Sequence, residues 1–479
     1  MRIALLVGLV ILAIPHLGLA NFAAWDISKE GEEANKWLTK ESAHFVITYP
    51  QLNTVMADKA LNIAERVHSE LVPFFGQAPQ TKTQMALVDD FDFSNGWATF
   101  FPFAQIRLFA SPPDRISGLE VNDDWLHTLI RHEYVHILQL EMERGYPKGL
   151  RNIFGRVFFS FPHAITPSFM LEGLATYLET NHELGYGRLQ GSFYAMQMRT
   201  EVAAKRLKSL GDVSAPLRDW PLGMQYLYGS YFYQFLAQTY GEQAIKDYLY
   251  KYSGQGLPAI MQNYSMSYVV GKNFEQLWRE YQQWLNNKFS IDIDLLSDSP
   301  LQGEVLNFEK MQLALFKDVS NSQGNAFYLI DNNGEDKPRL SVYIDDKKSM
   351  LVDAKGVLSF DINQQQEIIA SRMVSWKDGR SWADVYLLEQ DALLRPQWLA
   401  LSKKSRLRNV RWLNNNLIIA TRKEQGISEL VLLDKQGNSR SLWRGQDETT
   451  VLGDFDIAAV GDYLVVSIKR ALQGWNLER

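Results

Sequence analysis

Arg131-His132-Glu133-Tyr134-Val135-His136 decides how this chain is read. Around it, Trp125, Leu126, Leu129, Ile130, Ile137 and Leu140 recur at the spacing of a helix with one apolar stripe. Residues four apart on a helix share a face. His132 and His136 can therefore present both Nε2 atoms to a single metal ion, at the roughly 2.0–2.1 Å typical of a zinc–imidazole bond. Glu133 sits between them and reaches a water at that ion without ligating it. Two neutral imidazoles hold a Lewis acid and a neighbouring carboxylate takes a proton, which is the chemistry of hydrolysis. The expected cofactor is Zn2+, one ion per chain.

A catalytic zinc site needs a third protein ligand and an open position. Glu141 and Glu143 lie more than a turn beyond His136 on the same helix and point away. His163 does not follow His136 at the close spacing of a three-histidine stretch. Glu172 is the better candidate. It lies in Phe169-Met170-Leu171-Glu172-Gly173-Leu174-Ala175-Thr176-Tyr177-Leu178-Glu179, which reads as a second helix. Small Gly173 and Ala175 let two helices approach closely around one ion. The plainer alternative is a surface Glu on an amphipathic helix.

Outward from this centre, the chain runs to 479 residues, long enough for two or three cores. Its net charge of -6 argues against a nucleic-acid partner, because phosphate recognition needs clustered Lys and Arg. It has no Cys, hence no disulfide and no lipid anchor through Cys. Arg2, the apolar run Ile3 to Ile14 and the Gly18-Leu19-Ala20 cleavage pattern read as a secretory signal over residues 1–20, with the mature chain starting at Asn21. An uncleaved N-terminal anchor is the alternative. The signal and the absence of Cys suit the periplasm or envelope of a bacterium.

Residues 21–296 look mixed: β-rich runs at Phe45 to Tyr49, Gln84 to Val88 and Ile106 to Ala110, a helix from Ala57 to Phe75, and a mainly helical pattern from Asp124 to Phe289. Ser297 to Gln302 reads as a linker. Residues 303–479 read as short strands. Ile368-Ile369-Ala370-Ser371-Arg372 recurs as Ile418-Ile419-Ala420-Thr421-Arg422 and, loosely, as Val465-Val466-Ser467-Ile468-Lys469. A second strand follows each, at Asp384 to Leu388, Glu429 to Leu433 and Trp475 to Leu477. The period of about 50 residues is that of propeller blades. Only three to four blades are visible, so the propeller is expected to be partial, through truncation of the chain or completion by another. A β-sandwich is the competing architecture.

The pair His132-Glu133-x-x-His136 and Glu172-Gly173-Leu174-Ala175-x-Tyr177 resembles the gluzincins, the clan of thermolysin and aminopeptidase N. The layout is similar to bacterial peptidase MA-like proteins with a TolB-like propeller behind a zincin domain. The resemblance implies an α+β zincin-like domain followed by an all-β propeller, zinc on His132, His136 and Glu172, and Glu133 as general base. It also implies a transition-state donor at Tyr226, with Tyr228 and Tyr231 as rivals. Glu179 or Thr176 would orient a ligand imidazole from behind. The aminopeptidase Gly-x-Met-Glu-Asn motif is absent, which turns the expectation toward an endopeptidase acting on peptides or proteins.

Three further features bear on function. Asn95-Gly96-Trp97-Ala98 suits an edge strand that pairs with extended substrate, Gly96 permitting close approach, or else a turn before a core strand. The stretch Gly145 to Pro167 mixes Lys148, Arg151 and Arg156 with Phe154, Val157, Phe158, Phe159 and Phe161. It is compatible with a lid, with membrane contact through residues 148–161, or with packing between domains. The propeller offers a surface for a protein partner. Two rival readings remain: a catalytically silent scaffold, and a zinc hydrolase acting on a non-peptide amide or an epoxide.

Overall fold

The computed structural model describes residues 36–113, 119, 121–122, 124–215, 221–299, 313–319, 326–332, 336–344, 347–447, 449–457, 463–470 and 473–479. The expected signal over residues 1–20 lies outside the described residues.

Strands β1 (Trp37–Glu41) and β2 (Phe45–Pro50) form an antiparallel pair. In β2, Phe45, Ile47 and Tyr49 are buried while Val46 and Thr48 are less so, the alternation of a strand lying on a core. Helix α1 (Thr54–Phe75) buries Ala57, Ala60, Ala64, Val67 and Leu71 on one stripe. It ends at Gly76, whose φ of 70° lets its N–H close on Val72 O. This crossover makes β3 (Thr83–Val88) parallel to β2. Strand β4 (Gly96–Thr99) comes next, and β5 (Gln105–Phe109) runs parallel to β3. The sheet order is β1-β2-β3-β5-β4, so β4 is an edge, antiparallel to β5. The reading of residues 95–98 as a mere turn is thereby replaced by a strand.

Helices follow: α2 (Trp125–Glu141), α3 (Gly145–Phe154), α4 (Ser168–Glu179), α5 (Ser192–Ala203), α6 (Leu210–Ser214), α7 (Met224–Tyr240), α8 (Glu242–Tyr252), α9 (Pro258–Val270) and α10 (Phe274–Ser297). The last continues past the expected stop at Phe289 and occupies the start of the expected linker; residues 300–312 are not described. Helices α4 and α7 touch backbone to backbone. A Cβ on Gly229 would lie 2.0 Å from Phe169 O, and one on Gly173 would lie 2.4 Å from Gly229 C. The close approach expected of Gly173 therefore serves α7, not the helix that carries His132.

The C-terminal part is all β, as four separate antiparallel sheets arranged like propeller blades, which excludes the two-sheet sandwich. They are β6 (Leu313–Asp318) to β9 (Lys347–Asp353) with β7 (Ala326–Asn332) and β8 (Arg339–Ile344); β10 (Val357–Ile362), β11 (Ile368–Ser375), β12 (Ser381–Gln390) and β13 (Pro396–Ala400); β14 (Leu407–Trp412), β15 (Leu417–Glu424), β16 (Ile427–Asp434) and β17 (Ser439–Arg444); and β18 (Val451–Ile457), β19 (Leu464–Arg470) and β20 (Gly474–Glu478). The three repeat copies fall on β11, β15 and β19. Apolar clusters bridge neighbours: Leu340 with Phe360, Val385 with Val410 and Ile418, and Ile419 with Phe455 and Ile468.

The two parts are joined by buried polar contacts around the loops that follow β3 and β5. Fully buried Asp92 accepts from Arg406 Nε at 2.6 Å and from Ala383 N at 2.8 Å. Arg408 donates to Asp92 O. Arg406 also pairs with Asp89 at 2.8 Å. Buried Lys423 donates to Pro112 O at 2.7 Å, and Lys469 to Asn122 Oδ1 at 2.9 Å. Val451 joins the apolar core of the N-terminal part.

Candidate active site

Helix α2 begins where the Asp124 carboxylate accepts from Leu126 N at 3.0 Å. Its Leu126, Ile130 and Ile137 are buried in the core. That packing turns His132, Glu133 and His136 toward a cavity of about 820 Å³, opposite Glu172 of α4. His132 Nε2 and His136 Nε2 each lie 3.3 Å from Glu172 Oε2, and 3.3 Å from one another. These three atoms form the His-His-Glu group among the described residues that could hold a metal ion. A tetrahedral zinc with bonds of about 2.0–2.1 Å separates its ligand atoms by about 3.3–3.4 Å, so the donor triangle fits the ion that the residue types suggest.

The electrostatics follow from crowding these groups away from water. Burial opposes a proton on His132, but the Glu172 and Glu179 carboxylates outweigh it and hold the imidazole up at about 9. Burial also works against charge on Glu172, yet His136 and His132 bring it far below the usual carboxylate range. A cation is thus favoured between them, and a metal would compete with a proton for the place. Burial pushes Glu133 up, against the pull of His132 and His136, which suits a group that must take and give a proton.

Behind His132, Glu179 Oε2 lies 2.8 Å from Nδ1. Arg188 donates to both Glu179 oxygens, from Nε at 2.6 Å and Nη2 at 2.7 Å. Burial opposes ionisation of Glu179, but Arg188 brings it down to about 2. The charged carboxylate accepts from Nδ1–H, which leaves the Nε2 lone pair pointing at the triangle. Arg188 Nη2 is also 2.9 Å from Nδ1, but donation there would demand the opposite tautomer. Of the two residues expected behind the imidazole, only Glu179 takes the place; among the described residues the buried Thr176 hydroxyl meets no partner.

Tyr226 enters the cavity from the first turn of α7, with its ring centroid 6.2 Å from that of His132 and Arg188 4.9 Å over its face. Burial, with Glu172 nearby, raises the phenol, which stays a neutral donor. Its rivals point elsewhere. Tyr228 OH donates to Glu201 at 3.1 Å, and Tyr231 packs on Phe289. Edge strand β4 crosses directly over Glu133: a Cβ on Gly96 would sit 2.9 Å from Leu129 Cδ1 and 3.0 Å from Glu133 Oε1. Asn95, Trp97 and Ala98 line the same cavity.

Sequence reasoning missed Arg188 and Tyr194, which complete the wall beside Glu179, and Leu358, Met373 and Arg408, by which the blades close the cavity's far side. Arg188 follows a Gly185-Tyr186-Gly187 turn with no spacing to mark it. The other expected bystanders lie apart: His163 Nε2 is 3.1 Å from Ser253 Oγ, and Glu141 and Glu143 pair with Arg151 at 3.0 and 2.5 Å.

No family model and no curated protein matches the sequence. Solved structures do. Aminopeptidase A of Legionella pneumophila is 11% identical with a TM-score of 0.28, over 85% of this chain and 36% of that one. An aminopeptidase N family protein of Idiomarina loihiensis is 11% identical with a TM-score of 0.27, over 92% of this chain and 68% of that one. This chain thus spans about a third of the length of the first.

Proposed function

We propose that this chain is a zinc-dependent peptidase of the gluzincin type, acting in the bacterial cell envelope and cleaving internal peptide bonds. The observation that carries the reading is the 3.3 Å triangle of His132, His136 and Glu172 donor atoms, with Glu133 beside it in the same cavity. A zinc ion held there would supply Lewis-acid polarisation of a carbonyl and of the attacking water. Glu133 takes the proton from that water and passes it to the leaving nitrogen. The Tyr226 hydroxyl donates to the carbonyl oxygen as negative charge develops on it. Arg188 and Glu179 hold the His132 tautomer throughout. Edge strand β4 offers main-chain hydrogen bonds to an extended substrate, which favours a peptide over other hydrolysable amides.

One point supports cleavage within a chain over removal of its first residue. Glu133, Glu172 and Glu179 are the carboxylates among the described lining residues, and each already serves the triangle. Among the described lining residues, none remains to anchor a free amino group. Export to the envelope rests on the Arg2 to Ala20 pattern, and among the described residues no helix is long and apolar enough to cross a membrane.

Glu133→Gln tests the chemistry. The variant is expected to keep its zinc and to lose about 10²–10⁴ of kcat on internally quenched peptides, because the amide cannot accept the proton. Full activity in that variant would end the general-base assignment.

A further inference from the structure

Three separated segments share a composition that the catalytic reading leaves unexplained. Residues 93–113, 144–171 and 248–274 contain no Asp or Glu, in a chain that holds 55. They carry one, four and two Lys or Arg residues, seven in all.

The fold brings the three together. Arg156 Nε donates to Pro102 O at 3.0 Å, and the Phe100 and Phe158 rings lie 6.2 Å apart, which ties the loop after β4 to the turn after α3. Arg144 lies 3.5 Å over the Tyr250 ring and its N–H bonds Ser253 O at 3.2 Å, tying the start of α3 to the end of α8. Gln262 of α9 donates to Ile165 O at 3.4 Å. On the surface so joined, apolar side chains stand in solvent: Ile153 is 75% exposed, Phe159 68% and Ile260 73%, and Phe101, Phe154 and Tyr268 are exposed as well. Scattered exposed apolar residues need no explanation, but six of them on segments joined in this way mark a binding surface. Arg151 and Arg156 are turned inward onto Glu141. Lys148 is exposed, and Lys251 lies 3.9 Å over the Tyr268 ring.

We propose that this face docks on an anionic lipid bilayer. Aromatic and aliphatic side chains from four elements would enter the boundary between headgroups and acyl chains, with Lys148 and Lys251 at the level of the phosphates. Charge complementarity selects this occupant. A face whose three segments carry no carboxylate, with Lys148 and Lys251 at its edge, suits lipid phosphate. A second copy of the chain would set the same cations against each other across a two-fold axis. Phe101 follows β4 by two residues, so docking would set one end of the cleft's edge strand at the bilayer. The proposal needs no metal and stands apart from the peptidase reading.

Cosedimentation of the purified chain with vesicles of phosphatidylethanolamine and phosphatidylglycerol, and with phosphatidylcholine alone, tests it. The chain is expected on the anionic vesicles and more weakly on the neutral ones. A combined Ile153→Ser, Phe159→Ser and Ile260→Ser variant should lose more than tenfold in affinity. Lys148→Glu should cost about fivefold or more on the anionic vesicles alone. A matched set on the blades, Leu393→Ser, Leu394→Ser and Leu477→Ser, should change nothing. All these side chains are exposed, so every variant should melt as the parent does. No binding to anionic vesicles overturns the proposal. So does binding that the triple variant leaves intact, and so does self-association lost in that variant without any vesicle binding.

Discussion

Glu179 shows how much of a site's behaviour rests on a residue that never touches the reacting atoms. Its carboxylate accepts from His132 Nδ1 and is held by both arms of Arg188, so it sets which imidazole nitrogen is free. Glu179→Gln is expected to weaken zinc affinity about 10–100-fold, read by competition with a chelator, while His132, His136 and Glu172 stay in place. An unchanged affinity would remove Glu179 from the site. At this scale the sequence was most legible where chemistry dictates spacing. His132 and His136 had to be four apart to share an ion, and Glu133 had to lie between them. Arg188 was illegible because its contact with Glu179 is made by a turn whose path no spacing records.

Helices α4 and α7 lie so close that Gly229 and Gly173 leave no room for a methyl group. Gly229→Ala would set a Cβ 2.0 Å from Phe169 O and push α4, with Glu172 on it, away from α2. A loss of about 3 kcal/mol in urea unfolding is expected, with weakened metal binding. Gly149→Ala on α3 is the contrast: nothing lies within 4 Å of its Cβ, and the change should gain up to about 1 kcal/mol by helix propensity. Equal effects of the two would contradict the packing account. Strand β2 and helix α1 could be read from the sequence because each buries one regular face. Strands β11 and β15 each bury four consecutive residues, so it is their shared Ile-Ile-Ala run and not an alternation that marks them. Strand β4 left its assignment open. Its four residues are all half-buried, so no alternation distinguishes a strand from a turn.

Across the whole molecule, the blades act as a wall of the cavity, and the Asp92 cluster holds that wall in place. Asp92→Ala would leave Arg406 and Arg408 buried beside a missing carboxylate, and removing one member of such a group costs about 3–5 kcal/mol. Calorimetry should then show the single transition of the parent divide in two, with activity reduced by loss of the blade residues Met373 and Arg408 from the cavity. One unchanged transition would mean that the cluster does not join the parts. The repeat strands announced blades, because β11 and β15 keep the same buried Ile-Ile-Ala run and β19 repeats it loosely. The docking of those blades on the loops after β3 and β5 was not announced. Asp92, Arg406, Arg408 and Lys423 look like ordinary surface charges until the fold buries them against each other.

Zinc content of the purified chain, beside His132→Ala and Glu172→Ala variants, tests the central claim most directly. The account predicts about one zinc per chain in the parent, lost or sharply weakened in both variants. A parent that holds no zinc after reconstitution would contradict it, and so would a Glu172→Ala variant that binds as tightly as the parent.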